Sequence, residues 1–482
     1  MPAEQQLAYA SIAEIGKLYR NHKLSPVELT RFLLDRIAKL NRRLNAYLTV
    51  CEEQALEQAA RAEKALFSKS RAKNVRRLGP LLGIPISLKD NIYTAGIRTT
   101  AGSKILQDFL PLHDAPVVTA LKKAGVIMLG KTNMHEFAYG ATCNNPHYGP
   151  VRNPWNETQI AGGSSGGSAA ALAAGLCYGS IGTDTGGSIR IPASLCGVVG
   201  LKPGLGRVSA EDVIPLSPTL DFVGPLARSA EDAALLLEPI FTRGANERSL
   251  LPRKFPSARS HRAKLGVPKE FFFDVLSPEV QRAFDRAVRI LNKGGASIKE
   301  ISLPLLTETE DAGNHIAWPE ATLYHQQAGW FPDRSVDYGE DVRSRLEMGA
   351  RVSAVSYLKA LQTREKFISA FHLALEDADV DALVVPTTPI AAPRIGEEST
   401  SISGTLHPTR ALLLRLNRPA NLAGVPAISV SCGLTEAGLP IGLQFIAAVT
   451  DEPLPANVEL TVVPQVKLYG PVKAQLVPVS PV

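Results

Sequence analysis

A single large α/β domain with a central mixed, mainly parallel sheet flanked by helices is predicted by three features of the sequence. Helix-like and strand-like stretches alternate along most of the chain, some strand-like runs such as 81–88 are short, apolar and partly β-branched, and no internal repeat interrupts the pattern. The bulk properties agree. At 482 residues, 45% hydrophobic and 20% charged, the chain has the composition of a globular protein and the length for a sizeable core.

The first 70 or so residues read as helices. Ser11 opens a stretch with Ile12, Ile15 and Leu18 on one face, and Ser25-Pro26-Val27-Glu28 supplies a cap, a first-turn proline and an acidic third residue. Leu29, Phe32, Leu33, Ile37 and Leu40 form the buried stripe that follows, and an alanine-rich helix covers about 51–66. Next comes a basic run, Lys64, Lys69, Arg71, Lys73, Arg76 and Arg77, with Phe67 its one aromatic; it reads as a solvated loop.

The strand 81–88 ends at Lys89. Beyond it the pattern predicts helices at 117–124, 168–176 and 230–237 and strands at 126–129 and 179–183. A polar connection at 243–262 precedes a strand at 263–267 and a helix at 278–293, and a mostly helical insertion covers about 319–376. Strands resume at 382–386, 427–432 and 443–447. The domain is thus expected over 1–450, with 451–482, crowded with valine and proline, as an irregular extension.

Several function classes are disfavoured at this level. The net charge of +6 is small for the length and no aromatic platform accompanies the basic run, so nucleic-acid binding is not expected. Five cysteines without a C-x-x-C pair predict neither disulfides nor a metal site. No charged segment followed by an apolar one opens the chain, and the run 169–182 is broken by glycines and too short for a membrane span. A cytoplasmic protein without membrane association is the expectation.

Chemistry concentrates in two glycine- and serine-rich segments, Gly162-Gly-Ser-Ser-Gly-Gly-Ser168 and Gly182-Thr-Asp-Thr-Gly-Gly-Ser-Ile-Arg190. Consecutive N–H groups of Thr185, Gly186, Gly187 and Ser188 can converge on one point beside a serine, as an oxyanion hole requires. Flexible linkers do not sit between apolar helix and strand signals, and neither segment has the spelling of a phosphate-binding loop. Gly162-x-Ser164-x-Gly166 does spell the nucleophile elbow of α/β-hydrolases. The residues before it, 153–161, are turn-like instead of a buried strand, and the histidines at 261, 315, 325, 372 and 407 carry no distinctive motif. Spacing alone leaves a histidine triad open.

Taken together these segments resemble the amidase signature family. The likeness extends through Leu88-Lys-Asp-Asn91, Gly130-Lys-Thr-Asn-Met134, Asn153-Pro-Trp155, Cys196-Gly-Val-Val-Gly-Leu-Lys-Pro203, Asn421-Leu-Ala-Gly424 and Gly438-Leu-Pro-Ile-Gly-Leu-Gln444, nearly the whole chain to about residue 447. The resemblance implies the amidase signature fold, a nucleophile at Ser188, a bridging serine at Ser164 after a cis peptide bond, and a lysine base at Lys89. Ser165, Asp184 and Arg190 fall on supporting positions. A lysine at the end of an apolar strand is desolvated and can work neutral, which explains a base without histidine. The implied chemistry is a proton relay, an acyl-enzyme and hydrolysis by water, with no cofactor and no metal.

Substrate-binding candidates are Met134, Tyr139, Gly163, Arg207 and Trp318, with the two-glycine stretch 204–213 as a lid. Trp318, Tyr324 and Trp330 fit a pocket wall or the core equally well. Two functions stay open. The favoured one is a free-standing hydrolase of small or aryl amides, or carbamates (urethanes), with a small-molecule partner only and a homodimer as the assembly left open. The alternative is the glutaminase (A) subunit of a glutamyl-tRNA amidotransferase. In those subunits an acidic residue shortly before Asn-Leu-Ala-Gly helps hold glutamine's amino group, whereas 411–418 here are Ala-Leu-Leu-Leu-Arg-Leu-Asn-Arg. That departure ranks the free-standing hydrolase first.

Overall fold

The computed structural model describes residues 4–68, 79–242 and 263–447. Most of the basic run, the connection at 243–262 and the extension at 451–482 lie outside these residues. The N-terminal helices begin where their caps predict. Ser11 and Ser25 each accept from the N–H of the residue three on, Glu14 and Glu28, whose carboxylates accept from the cap N–H groups in return. The helices Ile12–Arg20, Pro26–Leu44 and Glu52–Phe67 pack their apolar faces on one edge of the sheet.

Eleven strands form that sheet: β1 (Tyr47–Val50), β2 (Pro85–Lys89), β3 (Ile127–Thr132), β4 (Gly179–Asp184), β5 (Val199–Lys202), β6 (Phe222–Ala227), β7 (Lys264–Pro268), β8 (Ser297–Ile301), β9 (Ala382–Pro386), β10 (Ala427–Leu434) and β11 (Pro440–Ala447). Their spatial order is β1-β3-β2-β4-β6-β5-β10-β11-β9-β7-β8. The mixed sheet expected from the sequence is present. Its parallel pairs lie on the flanks, β3-β2-β4 and β9-β7-β8, and the strands between β4 and β9 run antiparallel to their neighbours.

Four of these strands carry weak signals in the sequence. β6 reads Phe-Val-Gly-Pro-Leu-Ala, and proline ordinarily argues against a strand with neighbours on both sides. β8, Ser-Ile-Lys-Glu-Ile, is a mostly exposed edge strand in which polar side chains replace the apolar run. β1 and β5 have four residues each and too little length for a period to show.

The helical stretch expected from 319 begins ten residues earlier. Helices Glu340–Gly349 and Ala354–Asp377 pack on Thr309–Gln327, whose residues Gly313 to Trp318 face Thr185, Gly186 and Ser188 across a cavity. Among the described residues no helix is long and apolar enough to cross a membrane, and all five cysteines are buried free thiols.

Candidate active site

Parallel pairing puts the ends of β2 and β4 side by side, with Leu88 opposite Ile181, so Lys89 and Thr183 meet beyond the last rung. The carboxyl ends of parallel strands are the usual place for a ligand site in such sheets. Lys89 is fully buried, and its Nζ donates to Ser164 Oγ (2.7 Å) and Thr183 Oγ1 (2.6 Å). Burial pushes its pKa from 10.5 down to about 7, against the pull of Cys143, Asp221 and Asp184 toward the charged form.

Ser164 follows a cis peptide bond from Gly163, and its carbonyl accepts from the His135 N–H (3.1 Å) and the Cys143 thiol (3.2 Å). The helix Gly166–Ala173 begins at once. Gly167 is held so close to β3 that a Cβ there would lie 2.4 Å from the Asn133 carbonyl oxygen, so glycine is required. Ser165 joins the two glycine-rich segments: its N–H donates to the Ser188 carbonyl (3.1 Å) and its hydroxyl to the Thr183 carbonyl (3.2 Å). Among the described residues no hydrogen bond links the hydroxyls of Ser164 and Ser188.

Asp184 and Arg190 lock the second segment. The Asp184 carboxylate accepts from the N–H groups of Gly187 (2.8 Å) and Ile189 (3.1 Å), from Arg190 Nε and Nη2 (3.0 and 2.9 Å), and from Asn421 Nδ2 (2.9 Å). Burial alone would raise its pKa, but the Arg190 charge and these hydrogen bonds hold it well below the usual carboxylate range. Arg190, itself fully buried, also donates to the Asn417 carbonyl, Gln444 Oε1 and Asn421 Oδ1.

Of the four N–H groups expected to converge beside Ser188, that of Gly187 instead donates to the Asp184 carboxylate. The N–H groups of Thr185, Gly186 and Ser188 have no such partner among the described residues, and the three residues line one cavity.

Its wall also includes Tyr139, Leu216, Trp318, Arg410, Leu414 and Arg418. Of the substrate-binding candidates, Tyr139 and Trp318 therefore face the cavity. Met134 does not; it is fully buried in an apolar cluster with Phe137 and Ile105. Arg207 lies over the Phe241 ring, and its stretch is pinned by backbone bridges at Val208 and Val213. Gly163 packs against the backbone of 140–143 and is absent from the wall. Tyr324 and Trp330 pack with Phe137 and His325.

A histidine triad finds no support. His135 pairs with Asp341 (2.8 Å), His325 with the Tyr338 hydroxyl (2.7 Å), and among the described residues no histidine side chain hydrogen-bonds to Ser164 or Ser188. Sequence reasoning missed Thr183, Asn421 and Asp221. The first two lie inside motifs shared with the family, so the signal was present. Asp221, which accepts from the Thr185 hydroxyl (2.5 Å) and the Leu216 and Ser217 N–H groups, stands in an undistinguished stretch, and burial pushes its carboxyl up to about 6.

The family model named Amidase matches residues 28–454. The chain belongs to the amidase signature family. Membership makes it a hydrolase of carbon–nitrogen bonds. The A subunit of the glutamyl-tRNA(Gln) amidotransferase of Moorella thermoacetica is 38% identical over 92% of this chain and 93% of its own. The solved structure of the protein of that name from Thermotoga maritima aligns with a TM-score of 0.72 at 35% identity, covering 92% of this chain and 91% of that one. Another structure, from a vestigial protein complex tied to the origins of an s-triazine catabolic enzyme, aligns at 0.83 and 33% identity over 94% and 98%.

These relatives correct the ranking made from sequence. A free-standing hydrolase of aryl amides or carbamates, working without nucleic acid or other subunits, gives way to the amidotransferase reading. Agreement over nine-tenths of both chains outweighs local departures such as the missing acid before Asn421.

Proposed function

We propose that this chain is the glutamine-hydrolysing component of a glutamyl-tRNA amidotransferase, releasing ammonia from the glutamine side chain for partner subunits. The observation that carries the reading is the 38% identity to the Moorella protein across nine-tenths of both chains.

The geometry supplies a mechanism for it. Neutral Lys89 takes the Ser164 proton across their 2.7 Å contact as Ser164 takes that of Ser188. Ser188 Oγ attacks the amide carbon, and the oxyanion collects the N–H groups of Thr185, Gly186 and Ser188. The proton returns through the relay to the departing nitrogen. Ammonia leaves, a glutamyl ester remains on Ser188, and water repeats the sequence to give glutamate. Ser165, Asp184 and Arg190 position the loop and touch no reacting atom. The relay requires Ser164 and Ser188 to come into hydrogen-bond contact in the substrate complex, in keeping with catalytic hydrogen bonds that tighten only when substrate binds.

The test is ammonia release from glutamine by the chain co-expressed with its partner subunits, with Ser188→Ala as the blank. Release that depends on Ser188 and rises when glutamyl-tRNA is supplied supports the reading. Failure to co-purify with any partner, together with no glutamine turnover, overturns it.

A further inference from the structure

Arg410 and Arg418 line the cavity and Arg345 lies near Arg410, and two of the three are occupied. Arg345 donates to the Tyr139 carbonyl (2.6 Å) and pairs with Asp341 (3.0 Å). Arg418 donates to Asn314 Oδ1 (2.7 Å) and the Glu310 carbonyl (3.1 Å), with the Glu310 carboxylate at 4.0 Å. Arg410 has neither hydrogen bond nor ion pair among the described residues, and its Nε is buried without a partner. Arg410 is partly buried and lines the cavity. The Tyr139 hydroxyl, on the same wall, is likewise buried and unpartnered.

Three guanidinium charges against the carboxylates of Asp341 and Glu310 leave one positive charge without a counterion. A buried charge left alone is costly, and an unused buried donor adds to the cost. Burial and the neighbouring Arg345 and Arg418 charges push Arg410 down to about 9, so it stays charged at neutral pH. Among the described residues no aspartate or glutamate lines this cavity. The wall thus offers an anion two unpartnered donors and offers an ammonium group no carboxylate.

We propose that Arg410 and the Tyr139 hydroxyl bind a carboxylate of the substrate, so that the site selects amides bearing a carboxylate a few atoms from the scissile group and does not require an α-amino group. This deepens the proposed function, because glutamine qualifies through its carboxylate. Guanidinium pairs with carboxylate through two parallel hydrogen bonds, a strong and directional contact.

The test compares glutaramate, which is glutamine without its amino group, with butyramide, which lacks the carboxylate as well, using wild type, Arg410→Gln, Arg410→Lys and Tyr139→Phe. Wild type should favour glutaramate. Arg410→Gln should raise the KM for glutaramate tenfold to a hundredfold more than that for butyramide, with partial recovery in Arg410→Lys and a smaller loss in Tyr139→Phe. Calorimetric binding of glutarate, strong to wild type and at least tenfold weaker to Arg410→Gln, gives a readout independent of turnover.

Equal loss on both amides, or glutarate binding that is absent or indifferent to Arg410, overturns the inference. The two readings fail separately. Turnover of glutaramate without turnover of glutamine keeps the carboxylate site and removes the glutaminase function. Glutamine turnover untouched in Arg410→Gln does the reverse.

Discussion

Replacement of Lys89 by arginine or alanine, read across pH, tests the relay at its base. The fall from 10.5 to about 7 amounts to roughly 5 kcal/mol set against the ammonium form, and full burial of the side chain leaves solvent little room to screen it. A lysine at its solution value is neutral in about one molecule in several thousand at pH 7; near 7 it is neutral in about half. Because the relay needs the neutral amine, activity is present above this pKa and lost as pH falls through it. The kcat/KM for an amide should therefore drop about tenfold per pH unit below 7 and level off above about 8. Lys89→Arg keeps a charge at every accessible pH and Lys89→Ala removes the base, so both should lose about 100- to 10,000-fold while circular dichroism still reports a folded chain. Ammonia release between pH 5.5 and 9.5 is the assay. A flat wild-type profile, or Lys89→Arg within tenfold of wild type, would refute the relay.

Other perturbations probe the surrounding parts. Ser188→Ala should abolish labelling by a fluorophosphonate, and labelling that persists would move the nucleophile to Ser164. Asp184→Asn should cost about 3–5 kcal/mol in urea unfolding, because it leaves the fully buried Arg190 uncompensated; a loss under about 1 kcal/mol would mean the pair does not lock the loop. Asp221→Asn removes a negative charge that favours the Lys89 ammonium, so the acid limb of the pH profile should move to lower pH. A limb that stays in place would separate Asp221 from the relay.

The parts of the site legible in the sequence are those packed into short contiguous segments. Ser164, Ser165, Thr183 to Ser188 and Arg190 fall within two such runs, and Lys89 ends an apolar strand whose burial the composition already announces. The fold was legible wherever an apolar period had length to show itself, as in the capped helices and in β9. It was hidden where neighbours decide. Pro225 sits in a strand with neighbours on both sides because it pairs with Ile181 on one side while the ladder on the other begins only at Leu226, which no local rule foresees. The cavity wall was hidden for the same reason, drawn as it is from 138–140, 185–188, 216–220, 313–318 and 410–422, five segments that only the fold brings together.

The stretch before Asn421 shows what such hiding costs an argument about substrate. In sequence, 411–418 reads as an apolar wall, and its lack of an acidic residue favours an uncharged ligand. In the fold, Arg410 and Leu414 are one turn apart on the helix Thr409–Arg415, and Arg418 opens the next helix beside them. All three reach the cavity, so the apolar patch is the middle of a stripe whose two ends are basic. Arg418 is already engaged by Asn314 and Glu310, which leaves Arg410 as the charge the ligand must meet. The same departure that argued against an ammonium group thus argues for a carboxylate.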